Sequence, residues 1–172
     1  MLPSIDLRIQ NLIKALHEVV IPAIPPRERL ARDQASLVIG HLNMIAAQWK
    51  SALKFESQSL DGLLKLSEKL HAAGHLGMTD DLRGRLGAEI DRAKRIDRSD
   101  GAAIEEGVVR LGKLTDELIR ADDSMEPIPP ELMTLVFEYG AFQAWRERTW
   151  FQGNMLDPGR AELPSIAQML AR

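Results

Sequence analysis

Apolar residues in this chain recur at intervals of three and four, and the rhythm is interrupted by proline, glycine or small polar residues. Ile5, Ile9, Leu12, Ile13, Leu16 and Val20 follow it, and so do Ile104, Val108, Leu111, Leu114 and Leu118. At about 3.6 residues per turn this spacing gathers side chains on one face of a helix. No run alternates apolar and polar residues between hairpin turns, so a strand has no pattern to form on. The fold class is therefore expected to be all-α. With 172 residues, enough for one well-buried core, the expectation is a single helical domain over 1-172, a bundle of five or six helices.

Punctuation sets the elements. Ser4 precedes the first helix as an N-cap, and IPAIPP is expected to stop that helix, because each proline lacks an N–H and restricts the residue before it. Pro26 then suits an early position of the next helix, which runs from Arg27 through Phe55. A break is expected at ESQSLDG, with Ser59 recapping a segment to Ala73. Gly74 and Gly77 form a hinge, and Thr79 caps TDDLRGRLGAEIDRAKRI. That helix offers only the narrow stripe Leu82, Leu86, Ile90 and Ala93, and 12 of the 21 residues from Asp80 to Asp100 are charged. Segment 74-100 is accordingly expected to be a charged outer or mobile part of the molecule. Ser99 or Asp100 opens the next helix, prolines before Pro130 open another, and a short helix covers 165-171.

Charge and composition exclude some functions. A formal net charge of -3 gives no field that would gather phosphate backbones, so nucleic acid is not expected as a partner. No apolar run approaches the roughly 18 residues of a membrane span, and the N-terminus MLPSIDLRIQNLIK lacks the pattern of an export signal. No membrane association is expected. There is no cysteine, which removes thiolate chemistry and fits a reducing compartment, so a cytoplasmic location is expected. Gly-rich phosphate loops, nucleophile elbows and EF-hand clusters are missing from the sequence. No catalytic residue is assigned and no cofactor is expected.

Three constellations remain. In QASLVIGHLNMIAAQ, rotation by about 100° per residue puts Gln34, His41 and Gln48 within about 40° of one another, in the middle of the helix's apolar side. If buried they need partners, since each unsatisfied group costs about 1–3 kcal/mol. They form either a structural polar ladder or a pocket in which His41 presents a ring nitrogen to a ligand. Arg146, within the apolar sector of its own helix, joins them as a candidate for an anionic ligand. In EKLHAAGH, Glu68, His71 and His75 have metal-ligand spacing and share one helix face if the helix continues past Gly74. A di-iron bundle would need a second Glu-x-x-His pair, and a zinc protease His-Glu-x-x-His, and neither is present. The alternative for these three is a solvated helix end.

The third constellation is aromatic. Six of the eight aromatic residues lie between Phe137 and Phe151, and they occupy two sides of one helix. A helix apolar on two sides lies between two surfaces. One is the core; the other is either more of the same chain or a second copy, with Phe137, Trp145, Trp150 and Phe151 as interface candidates.

From Leu12 to Ile45, VIPAI followed by RLARDQASLVI resembles the N-terminal part of small bacterial helical proteins of unknown function. Those proteins are encoded near aminoglycoside-phosphotransferase-like and acyl-CoA dehydrogenase-like proteins. The resemblance implies an accessory protein acting beside an enzyme. Taken together, these readings point to a non-catalytic accessory or interaction protein, a homo-oligomer with a possible further protein partner. The alternative is a small-molecule or metal-binding helical protein.

Overall fold

The computed structural model describes residues 3–73, 79–120 and 129–172, and among them every regular element is helical. The elements are α1 (Ile5–Ala15), a π-helical turn Leu16–Val20, α2 (Ile21–Ala23), α3 (Arg29–Gln48), α4 (Ala52–Ala72), α5 (Asp80–Lys94), α6 (Gly101–Arg120), α7 (Pro130–Phe151) and α8 (Ile166–Leu170). Since α2 is a single turn, seven helices longer than one turn are present among the described residues, against the five or six expected. The chain divides into two compact units, Met1–Ser51 with Glu147–Arg172, and Ala52–Arg146.

The caps fall where small polar residues stand. Ser4 Oγ accepts from Leu7 N–H, Thr79 Oγ1 from Leu82 N–H and Asp100 Oδ1 from Ala103 N–H. Ser165 and Gln168 form a reciprocal capping box on α8, satisfying donors that have no partner within the helix. Pro130 is the first residue of α7, where its missing N–H costs nothing.

IPAIPP ends the first helix as expected, but two details of the boundaries differ. Pro22 is passed within that stretch: Ile21 N–H reaches back five residues to Leu16 O, and the wider turn lets the chain continue to Ala23. Ile24, forced to an extended conformation before Pro25 (φ -78°, ψ 122°), ends it. Pro25 and Pro26 lie in the turn that follows, and α3 begins at Arg29 without a side-chain cap. The second difference is the break between α3 and α4, which lies at Trp49–Ser51 and not at ESQSLDG. Ser59 is inside α4, its hydroxyl bonded to Phe55 O one turn back. A tertiary contact lies at this break. Trp49 Nε1 donates to Asp6 Oδ1 at 2.9 Å and Lys50 Nζ meets Asp6 Oδ2 at 2.7 Å, tying the end of α3 to the start of α1.

The Ala52–Arg146 unit holds the larger core. Leu60, Leu63, Leu66 and Leu70 of α4, Leu82, Leu86, Ile90 and Ala93 of α5, and Ile104, Leu111 and Leu118 of α6 form one cluster, with Leu132, Leu135, Val136 and Tyr139 of α7 packed against it. The stripe of α5 that looked too narrow is thus part of the core, and Leu86 and Ala93 are wholly buried. Over Asp80–Lys94 the segment is not an outer one; only its charged face is outside, and residues 74–78 lie outside the described residues. Helix α6 accommodates its glycines by close packing. A methyl on Gly107 would collide with Ile96 Cδ1 and touch Leu60. Arg98 closes the α5–α6 connection, pairing with Asp61 at 2.8 Å and donating to Ala93 O and Ile96 O at the end of α5. Ser67 and Thr115 meet across α4 and α6 at 2.8 Å, fully buried.

Candidate interaction surface

Helix α3 turns one stripe inward and leaves another open. Arg32, Ala35, Ile39, Leu42, Ala46 and Trp49, spaced three and four apart, are buried or half-buried. Rotated by about 100° from that stripe lies a flank made of Leu30, Gln34, Leu37, Val38, His41 and Ile45, all exposed. Its four large apolar residues are 73%, 53%, 46% and 47% exposed, for Leu30, Leu37, Val38 and Ile45 in turn. Gln34 and His41 do sit among apolar residues, as their spacing indicates, but that stripe faces solvent. They are neither a buried ladder nor lining for an enclosed pocket. Gln48 is engaged among the described residues: it is half-buried, and its Nε2 donates to Trp150 O at 2.7 Å.

The sequence adds a second property to this flank. From Gln34 to Trp49 there is no Asp, Glu, Lys or Arg, the longest uncharged run in a chain whose residues are 27% charged. A solvated helix face ordinarily carries charge. Next to the C-terminal end of the flank runs the segment after α7, held by the Gln48 bond and by Met44 against Gly153. Phe151, the last residue of α7, and Met155 and Leu156 beyond it are 50%, 70% and 82% exposed. Met155 adopts a left-handed conformation (φ 62°), and Arg148 clamps the loop through Asp157 with two bonds of 2.7 and 3.1 Å. Those bonds hold the Asp157 carboxyl below its ordinary range.

Arg146, in the other unit, is almost wholly buried. Its Nη2 donates to Phe55 O at 2.8 Å and to Ser59 Oγ at 3.3 Å, and its guanidinium lies 4.7 Å from the Phe55 ring centre and 5.8 Å from that of Phe142. No carboxylate among the described residues is within ion-pair distance, and Nε has no hydrogen-bond partner among them. Desolvation pulls its ionisation below the arginine norm, opposed by Tyr139 and Glu56. Glu56 is pushed up, first by desolvation and then by Glu105, with Arg146 opposing. The arginine is thus fixed by a carbonyl, a hydroxyl and two rings.

Of the metal candidates, Glu68 is paired with Lys94 at 2.8 Å, His71 lies against Gly87, and His75 is outside the described residues. Among the described residues no group of three or more His, Asp or Glu side chains is placed to hold a metal ion, and no helix is long and apolar enough to cross a membrane. On α7, the side bearing Leu132, Leu135, Val136 and Tyr139 meets the core, while Phe137 is 69% exposed. Trp145 is half-buried and stacked on Phe142 with centroids 5.7 Å apart, and Trp150 is half-buried. No family model, curated protein or solved structure matches the chain.

Proposed function

We propose that this is a non-catalytic interaction protein of the cytoplasm that works as a homo-oligomer, an accessory to an enzyme as the resemblance of its N-terminal part implies. The observation that carries the reading is the uncharged, exposed apolar flank of α3. Four large aliphatic side chains in one stripe, three of them within four turns free of formal charge, make a surface whose burial is favourable and whose exposure is not. Phe151 and Phe137 are further open aromatic positions of the kind enriched at interface centres. A small-molecule or metal site has less support, since His41 is open to solvent and Glu68 is already paired with Lys94.

Light scattering over about three orders of magnitude of concentration around the micromolar range tests this. The mass is expected to rise with concentration. In the Leu37→Glu variant, which places a charge in the middle of the flank, association is expected to weaken by about a hundredfold or more while circular dichroism stays unchanged. A wild-type mass of one chain at every concentration removes the proposal.

A further inference from the structure

The exposed flank of α3 reads the same from either end. About a point between residues 37 and 38, Leu37 mirrors Val38, Gln34 mirrors His41 and Leu30 mirrors Ile45. From this symmetry, and resting on the self-association proposed above, we infer that two copies pair through α3, antiparallel, about a two-fold axis between Leu37 and Val38. In that arrangement each apolar residue meets an apolar residue of the second copy. Each Gln34 amide meets the His41 ring opposite it, twice over, as a self-complementary interface requires.

Charge sets the direction. Arg29 stands at the start of α3 beside Arg27, which is neutralised by Glu28 at 3.3 Å, and Lys50 beyond the end of the helix is neutralised by Asp6. A parallel pair would bring the Arg29 cations of both copies together at one end. The antiparallel pair sets each of them against the carbonyl end of the facing helix, where the macrodipole favours a cation. The area is also suitable. The flank exposes roughly 400 Å² of apolar surface per copy by the quoted fractions, about half of what a standard interface buries on each side. Phe151, Met155 and Leu156 at its edge extend it toward that size. The paired polar layers play the part that single polar core residues play in coiled coils, fixing register at some cost in affinity.

Because the chain has no cysteine, single introduced thiols report the geometry without background. On opposite copies, positions 37 and 37 or 38 and 38 are adjacent to the axis. The two copies of residue 30 are separated by 15 residues of helix rise, about 22 Å, far beyond what a disulfide spans. Mild oxidation is expected to cross-link Leu37→Cys and Val38→Cys at least about tenfold faster than Leu30→Cys, and to join Leu30→Cys to Ile45→Cys when the two are mixed. Cross-linking of Leu30→Cys alone as fast as Leu37→Cys overturns the antiparallel pairing in favour of a parallel one. A dimer seen by light scattering with no cross-link at 37 or 38 places the interface elsewhere and leaves self-association standing. A monomer at all concentrations overturns both.

Discussion

The two units bury their apolar residues to different degrees. In Ala52–Arg146 a layer of leucines and isoleucines is closed from water, with Leu60, Leu86, Ile104 and Leu111 at 0% exposure. Among the described residues of the unit made from the two ends of the chain, only Ile9, Ala35, Met169 and Leu170 are buried apolar residues, while 12 of the 16 large hydrophobics exposed on the described residues belong to it. The hydrophobic effect scales with area removed from water. One unit therefore draws its stability from its interior, and the other retains apolar surface that only a second surface can remove from water. The difference teaches that composition alone does not locate a core: α3 is among the most apolar helices, yet half of what it offers is turned outward.

The largest expected effect comes from truncating each unit at its characteristic leucine. Leu86→Ala in the closed core is expected to cost about 3 kcal/mol in urea denaturation. Leu37→Ala, measured at concentrations too low for association, is expected to stay within about 0.5 kcal/mol of wild type. Equal losses would erase the contrast between the units.

Acid sharpens the same contrast. Asp6 is held below the ordinary carboxylate range by Lys50 and Trp49, and Asp157 by Arg148. Their contributions are present above the unfolded value near 4 and are lost as pH falls through the lowered folded values. Glu56 has the opposite sign. Its raised value means that its contribution is present below the ordinary glutamate value and is lost as pH rises through the folded one. The unit containing Asp6 and Asp157 is expected to loosen first on acidification. In a Trp145→Phe variant the remaining tryptophans, Trp49 and Trp150, both report on that unit by fluorescence, and a transition that coincides with loss of the whole helical signal would count against the ordering.

The smallest effect is expected at Arg146. Its carbonyl and ring contacts offset the cost of a buried cation that has no carboxylate within ion-pair distance among the described residues, so Arg146→Met is expected to fall within about 1 kcal/mol of wild type. A loss of about 3 kcal/mol or more would show that those contacts outweigh desolvation.

Much of this fold is legible in sequence because it is local. Helical period, the caps at Ser4, Thr79, Asp100 and Ser165, and the start of α7 at Pro130 each depend on residues within a turn of one another. The misreadings are long-range. The contact at the end of α3 is between Trp49 and Asp6, 43 positions away, and local sequence does not reveal it. The spacing of Gln34 and His41 identifies a real apolar stripe, but a helix with apolar residues on two sides does not say which side is covered. That is decided by α1 and by Trp150, 102 positions from Gln48. The α5 stripe reads as weak because charge dominates its composition, although four apolar residues at the correct spacing suffice for burial when α4 and α6 present matching surfaces. That Arg146 has no carboxylate within ion-pair distance among the described residues has no sequence signal, since its close partners are a carbonyl, a hydroxyl and two rings.

The wide turn at Leu16–Val20 acts as a phase shifter. Continuing the spacing of Ile9, Ile13 and Leu16 at α-helical pitch would bring Val20 inward, yet Val20 is 42% exposed and the half-buried residues are Ile21 and Ile24. One extra residue in the turn advances the inward face by a single position, as an insertion into an ordinary helix would. Removing one residue from Val19–Val20 would restore the common pitch and keep Ile21 and Ile24 on the inward side, one step earlier in the chain, with Pro22 now where an i to i−4 bond would form. The wide turn thus sets the face of the helix and carries the chain past a proline that cannot donate that bond.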